Sequence, residues 1–100
     1  MKVRFLEAAQ QELDEAHEWY EVQVTGLGIK FIEESWVATR RIMIFPESCE
    51  EVATGVRKCL LRRFPYMLIY KVEQTEILVL AVAHQHRKPR YWKNRNGVTP

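Results

Sequence analysis

Apolar and polar positions change period several times along the chain, and each change marks an element. "KVRFL" (2–6) alternates and is rich in β-formers, so it reads as a short strand. From Glu7 the spacing turns helical: Ala9, Leu13, Ala16 and Tyr20 recur at +4, +3 and +4 and fall on one helix face. Glu7, Asp14, Glu18 and Glu21 lie mostly off that stripe, which predicts a first helix from about Glu7 to Val22 with an acidic outer surface. "TGLG" (25–28) breaks the pattern. Leu27, Phe31, Ser35, Ala38, Ile42 and Phe45 then resume it until Pro46, whose ring forbids continuation. Two helices joined so closely make an αα-hairpin. A second stripe on the latter helix, Ile32, Trp36 and Met43, lies partly off the core face. An exposed Trp36 there marks a partner surface; a packed one belongs to the sheet contact.

Beyond the hairpin, "ESCEEVATG" (47–55) reads as a polar loop, and three strands follow: "VRKCLLRR" (56–63), "YMLIYKV" (66–72) and "EILVLAVAH" (76–84). The Gln74–Thr75 connection makes the last two a hairpin. Ile77 to Ala83 is apolar on both faces, as in a central strand covered on both sides. If that strand alternates, Leu78, Leu80, Val82, His84 and His86 face one way. The order β-α-α-β-β-β predicts a single α+β domain over residues 1–100: an N-terminal strand, a helical hairpin and a three-stranded antiparallel meander, one sheet packed by the helices.

Charge sharpens this picture. Residues 1–56 carry 5 Lys/Arg against 11 Asp/Glu, a net of −6, and residues 57–100 carry 10 against 2, a net of +8. The basic half is an electrostatic landing site for phosphate or for an acidic protein. No apolar run approaches membrane-spanning length, and the N-terminus lacks the apolar core of a secretory signal. Cys49 and Cys59 form no CxxC motif and read as free thiols, so the expected compartment is the cytoplasm.

The basic character peaks in "AVAHQHRKPRYWKNR" (81–95), which holds two of the three histidines and five of the fifteen Lys/Arg. RNA cleavage through its own 2′-OH needs a base, an acid and cations around the pentavalent phosphate. His84 or His86, Arg62 or Arg63, Arg87 and Tyr91 are side chains of the right types, with no metal or cofactor required. The same mixture suits binding without bond breaking: Arg62, Arg63, His86, Arg87, Lys88 and Arg90 for charge, Tyr91 and Trp92 for stacking. Trp92 has a further reading, in which it closes the core.

"RRFPYMLIYKVEQTEILVLAVAHQHRKPRYW" resembles the C-terminal half of the RelE/ParE toxin superfamily, and the N-terminal half agrees: a short strand, an Ala-rich helix with "WY" near its end, a Gly break and a long helix ending in "FPE". The resemblance implies a bacterial type II toxin encoded beside a neutralising antitoxin. RelE-like members cut mRNA on the ribosome; ParE-like members poison DNA gyrase. Arg62 or Arg63 matches the basic position on the early meander strand, and Arg87 the arginine after the final strand. Tyr91 and His84 fall where some nuclease members place a catalytic Tyr or His. Nuclease members carry more cations in the N-terminal half, whereas here that half is net −6, and "FPY…IY" with "AVAH…R" is closer to ParE chains. The expectation is therefore a ParE-like toxin of DNA gyrase. The alternatives are a ribosome-dependent endoribonuclease using Arg63, His84, Arg87 and Tyr91, and a non-toxic binding module. Antitoxins of this superfamily dock on the hairpin and sheet. Ile32, Trp36, Met43, Arg62, Arg63 and Arg87 are accordingly the expected antitoxin contacts, and the segment facing the arginines should carry Asp or Glu.

Overall fold

A computed structural model of the chain, which describes residues 1–95, contains β1 (Lys2–Phe5), α1 (Glu7–Gln23), α2 (Leu27–Ile44), β2 (Glu50–Ala53), β3 (Val56–Leu60), β4 (Tyr66–Val72) and β5 (Glu76–His84). The strands form one mixed sheet in the order β1-β5-β4-β3-β2. β1 runs parallel to β5, and every other pair is antiparallel. The helical hairpin covers one face.

The expected α+β architecture is present, with three differences. The first is β2, which lies inside the segment expected to be loop. Glu50 and Glu51 are exposed and supply no apolar period, so β2 is held by main-chain pairing to β3 rather than by its own side chains. Thr54 and Gly55 make the hairpin turn, and Gly55 takes a φ of 74° that a residue with a Cβ adopts only with strain. The second is β3, which stops at Leu60; Arg62 and Arg63 lie in the β3–β4 loop, where Arg63 itself has a φ of 67°. The third is a β-bulge. Ile69 pairs with Ala81 but Tyr70 pairs with Val79, so Leu80 has no partner on β4. The bulge resets the alternation. Ile77, Val79 and Val82 face the helices, while Leu78, Leu80, Ala81 and Ala83 face away. Leu78 and Leu80 therefore do not share a face with Val82, as strict alternation required.

The hairpin packs closely because of two residues. A Cβ on Gly28 would stand 2.7 Å from the main-chain oxygen of His17, so only glycine lets the helices approach here. The Glu21 carboxylate on α1 accepts from the Gly26 and Gly28 N–H groups at 2.9 and 3.0 Å, satisfying donors at the N-terminus of α2. Phe31, Ser35, Ala38 and Ile42 are buried as the spacing predicts, and the Ser35 hydroxyl donates back to the Phe31 carbonyl at 2.9 Å. Phe45 is exposed, because α2 ends at Ile44 and the chain leaves the helical path at Phe45. At one end of the sheet Tyr20, Phe31, Phe64 and Tyr66 form an aromatic cluster with ring centroids 4.9–6.1 Å apart.

Candidate functional site

β1 ends short of its partner, and what replaces it shapes the site. The last main-chain bond on that side is from Leu6 N–H to the Val79 carbonyl, at 3.0 Å. β5 continues to His84, so its next outward groups need other partners. Val82 N–H donates to Glu12 Oε1 at 3.0 Å, and Arg95 Nη1 donates to the Leu80 carbonyl at 2.8 Å. Glu12 and Arg95 also pair with each other, at 2.9 Å from Nη1 and 3.1 Å from Nη2. Tyr91 Oη donates at 2.7 Å to Glu12 Oε2, the oxygen that Arg95 Nη2 also reaches. Glu12 thus joins α1, the end of β5 and the segment after it. Its side chain is 14% exposed and that of Arg95 23%.

This node fixes the state of Tyr91. Burial, then the bond to Glu12, pushes its phenol above the ordinary value, so at neutral pH it is a neutral donor with its proton on the carboxylate's side. Arg87 lies over its ring, 3.9 Å from the centroid. Glu12 also holds Arg95 above the ordinary guanidinium value, chiefly by hydrogen bonding.

His84, at the end of β5, accepts a bond from His86 N–H at its Nδ1, 3.0 Å, which leaves Nε2 as the protonated nitrogen of the neutral ring. Its ring stands edge-on to Tyr66, 5.1 Å away. His84, Tyr66 and Arg87 share a cleft of about 550 Å³ with Glu12, Glu15 and Trp19 of α1. Arg63 does not enter this cleft. It lines an adjacent hollow with Lys30 and Phe64, its side chain 82% exposed and 3.8 Å from Glu34. The bond from Gln85 N–H to the Pro65 carbonyl, 2.8 Å, brings the β3–β4 loop beside the segment after β5. Arg62, Arg63, His86, Arg87, Lys88 and Arg90 are therefore exposed at one end of the sheet. Trp92 departs from that set. It is 3% exposed and packs with Leu78, Leu80 and Ala83 on the sheet face away from the helices, so its ring is core rather than stacking surface. Of the four side chains with acid, base or phosphate chemistry, the fold brings His84 and Arg87 together, occupies the Tyr91 hydroxyl and sets Arg63 apart. Among the described residues no group of His, Cys, Asp and Glu converges to hold a metal ion, and no helix is long and apolar enough to cross a membrane.

A second surface lies between the hairpin and β1. Ile32, Trp36 and Met43 line a groove of about 540 Å³ with Val3, Phe5 and Leu13, and Lys2 and Asp14 at its polar margin. Trp36 is 63% and Met43 45% exposed, so Trp36 is not packed against the sheet. β1 is also the edge of the sheet, and its outer main-chain groups adjoin the groove.

Comparison with known proteins agrees with this architecture. The family described as "ParE toxin of type II toxin-antitoxin system, parDE" matches residues 3–89. The fold is similar to that of a chain in the solved structure described as "Chromosomal ParDE TA system from P. aeruginosa", with a TM-score of 0.73 and 19% identity over 84% of this chain and 95% of that one. No curated protein matches the chain.

Proposed function

The chain belongs to the ParE toxin family of type II toxin–antitoxin systems, and from that premise we propose that its target is DNA gyrase, which it binds without making or breaking bonds. A cognate antitoxin silences it by covering the hairpin groove and the basic end of the sheet. The observation that carries the non-catalytic reading is the Tyr91–Glu12 bond at 2.7 Å. A tyrosine whose pKa is raised, and whose proton already has a carboxylate acceptor, is poorly matched to proton transfer near neutral pH. The net charge of −6 over residues 1–56 supports a protein target over ribosomal RNA, because an acidic half repels a polyphosphate surface. The ribosome-dependent nuclease reading is not favoured.

For the antitoxin, the two surfaces call for different chemistry. The groove suits apolar anchors of a helix or added strand at Ile32, Trp36 and Met43. The exposed Arg62, Arg63 and Arg87 call for Asp or Glu on the segment that faces them.

Two assays run side by side test the target. Purified toxin is added to supercoiling by the host's gyrase, and to translating ribosomes carrying a defined mRNA read by primer extension. The expected result is lost supercoiling and intact mRNA. New 3′ ends in A-site codons that disappear in Arg87→Ala, with gyrase unaffected, would transfer the protein to the nuclease reading. Inactivity in both, together with normal growth on high expression without antitoxin, would make it a binding module.

A further inference from the structure

We propose that Cys49 and Cys59 are a thiol pair that closes to an intramolecular disulfide on reaction with a low-molecular-weight disulfide such as oxidised glutathione. The sheet register places them together. Glu50 pairs with Lys58 and Glu51 with Arg57, so one step outward Cys49 stands opposite Cys59. The type of pair follows from the other side of β3. Leu61 N–H donates to the Tyr66 carbonyl on β4, and Cys59 pairs with Leu68 two steps back in the same ladder. Odd-numbered residues of β3 therefore direct their main-chain groups at β4. Cys59 has none to offer Cys49, whose carbonyl instead accepts from Arg57 Nη1 at 2.7 Å. A non-hydrogen-bonded antiparallel pair brings Cα atoms to about 4.5 Å. Disulfides need about 4.4–6.8 Å.

Their surroundings order the chemistry. Both side chains point to the helix-side core, where Cys59 is buried and Cys49 packs at its margin, partly exposed. A reagent thus reaches Cys49 first, and Cys59 is reached only by Cys49. The Cys49 thiolate attacks one sulfur of the reagent, forms a mixed disulfide and expels one reagent thiolate. The Cys59 thiolate then attacks the Cys49 sulfur and expels the second. Two protein thiols are oxidised and one reagent disulfide is reduced to two thiols, which take up the two protons released. Burial first, then the neighbouring Cys49, pushes the Cys59 thiol up to about 11, which makes the second step the slower one. Arg41 Nη1, 3.2 Å from Cys59 Sγ, favours the thiolate that step requires. Closure is intramolecular, with an effective concentration on the order of mM or more, so the ring wins over the open adduct. The bridge would pin the turn after α2, already held by the bond from Tyr70 Oη to the Pro46 carbonyl at 2.6 Å, to β3.

The test treats the full chain with oxidised glutathione, alkylates remaining thiols under denaturing conditions, and reads intact mass and a non-reduced peptide map. The expected product has lost two hydrogens, takes up no alkylating agent and yields one peptide linking Cys49 to Cys59; dithiothreitol restores two thiols. Cys59→Ser should stop at a glutathione adduct on Cys49. Wild-type protein that keeps both thiols, stops at the adduct or crosslinks between chains would overturn the proposal, as would an unreacted Cys59→Ser chain.

Discussion

Replacing Glu12 by alanine should destabilise the protein more than any other single change to an acidic residue on α1. Three donors lose their acceptor: Val82 N–H, the Tyr91 hydroxyl and Arg95. A buried donor left unpaired costs about 1–3 kcal/mol. Breaking a fully buried ion pair costs about 3–5 kcal/mol. Neither figure applies in full, because Arg95 keeps the Leu80 carbonyl and is 23% exposed to water. The expected loss for Glu12→Ala is about 2–4 kcal/mol, a large share of the roughly 5–15 kcal/mol typical of a whole domain. Glu12→Gln keeps one carbonyl oxygen for Val82 N–H and should lose about 1–2 kcal/mol. Tyr91→Phe removes one hydrogen bond and should lose about 1 kcal/mol. Urea unfolding followed by tryptophan fluorescence reads all three, with Trp92 as the buried reporter, and the midpoint should fall while the slope stays constant. If Glu12→Ala unfolds within about 0.5 kcal/mol of wild type, the change is that of an ordinary surface residue and the node does not hold β5 as argued.

Gly28→Ala places a Cβ 2.7 Å from the His17 main-chain oxygen and should cost about 1–3 kcal/mol by forcing the helices apart; an unchanged melting temperature would refute the close approach. Stability should also fall in alkali. The folded state holds the Cys59 thiol at about 11 against an ordinary 9.0, so the unfolded chain sheds that proton first. The contribution is complete below pH 9 and is lost as pH rises through 11, and Cys59→Ala should flatten the urea midpoint over that window. Tyr70 and Tyr91, both raised above 10.0 chiefly by burial, extend the decline from pH 10 upward. Trp36→Ala should weaken antitoxin binding by about 2 kcal/mol or more, roughly 30-fold in Kd by calorimetry, with folding stability unchanged. Charge reversal of Arg62, Arg63 and Arg87 together should weaken it further and reduce its salt dependence; a complex indifferent to both sets would place the antitoxin elsewhere.

Where the period was clean, the chain announced its own fold. The α1 core stripe, the α2 stripe as far as Ile42, the stop at Pro46 and the strands at 66–72 and 76–84 follow from spacing, and Ile32, Trp36 and Met43 line one groove. β2 was hidden because an edge strand with two exposed glutamates has no apolar rhythm, although "TG" before Val56 carried a turn signal. The phase of β5 was hidden for the opposite reason. "ILVLAVA" is apolar at every position, so nothing in it distinguishes a regular strand from a bulged one.

Glu12 carried a signal that the charge pattern masked. It sits three residues after Ala9 and four before Ala16, on the buried side of α1, whereas Asp14, Glu18 and Glu21 lie off that stripe. A carboxylate on a core face implies a partner, and the partners lie 70 to 83 residues away. The reason for the node becomes visible with the bulge. β1 can satisfy β5 only as far as Val79, and at Leu80 the strand shifts phase. A longer β1 would have to shift with it. One carboxylate and one guanidinium instead take the next donor and the next acceptor, and in doing so hold Tyr91 beneath Arg87, which lines the cleft. Of the side chains that looked like a catalytic set in the sequence, Tyr91 and the Arg87 stacked on it are thus tied to the need to finish a sheet edge, and the tyrosine's hydroxyl is consumed by it.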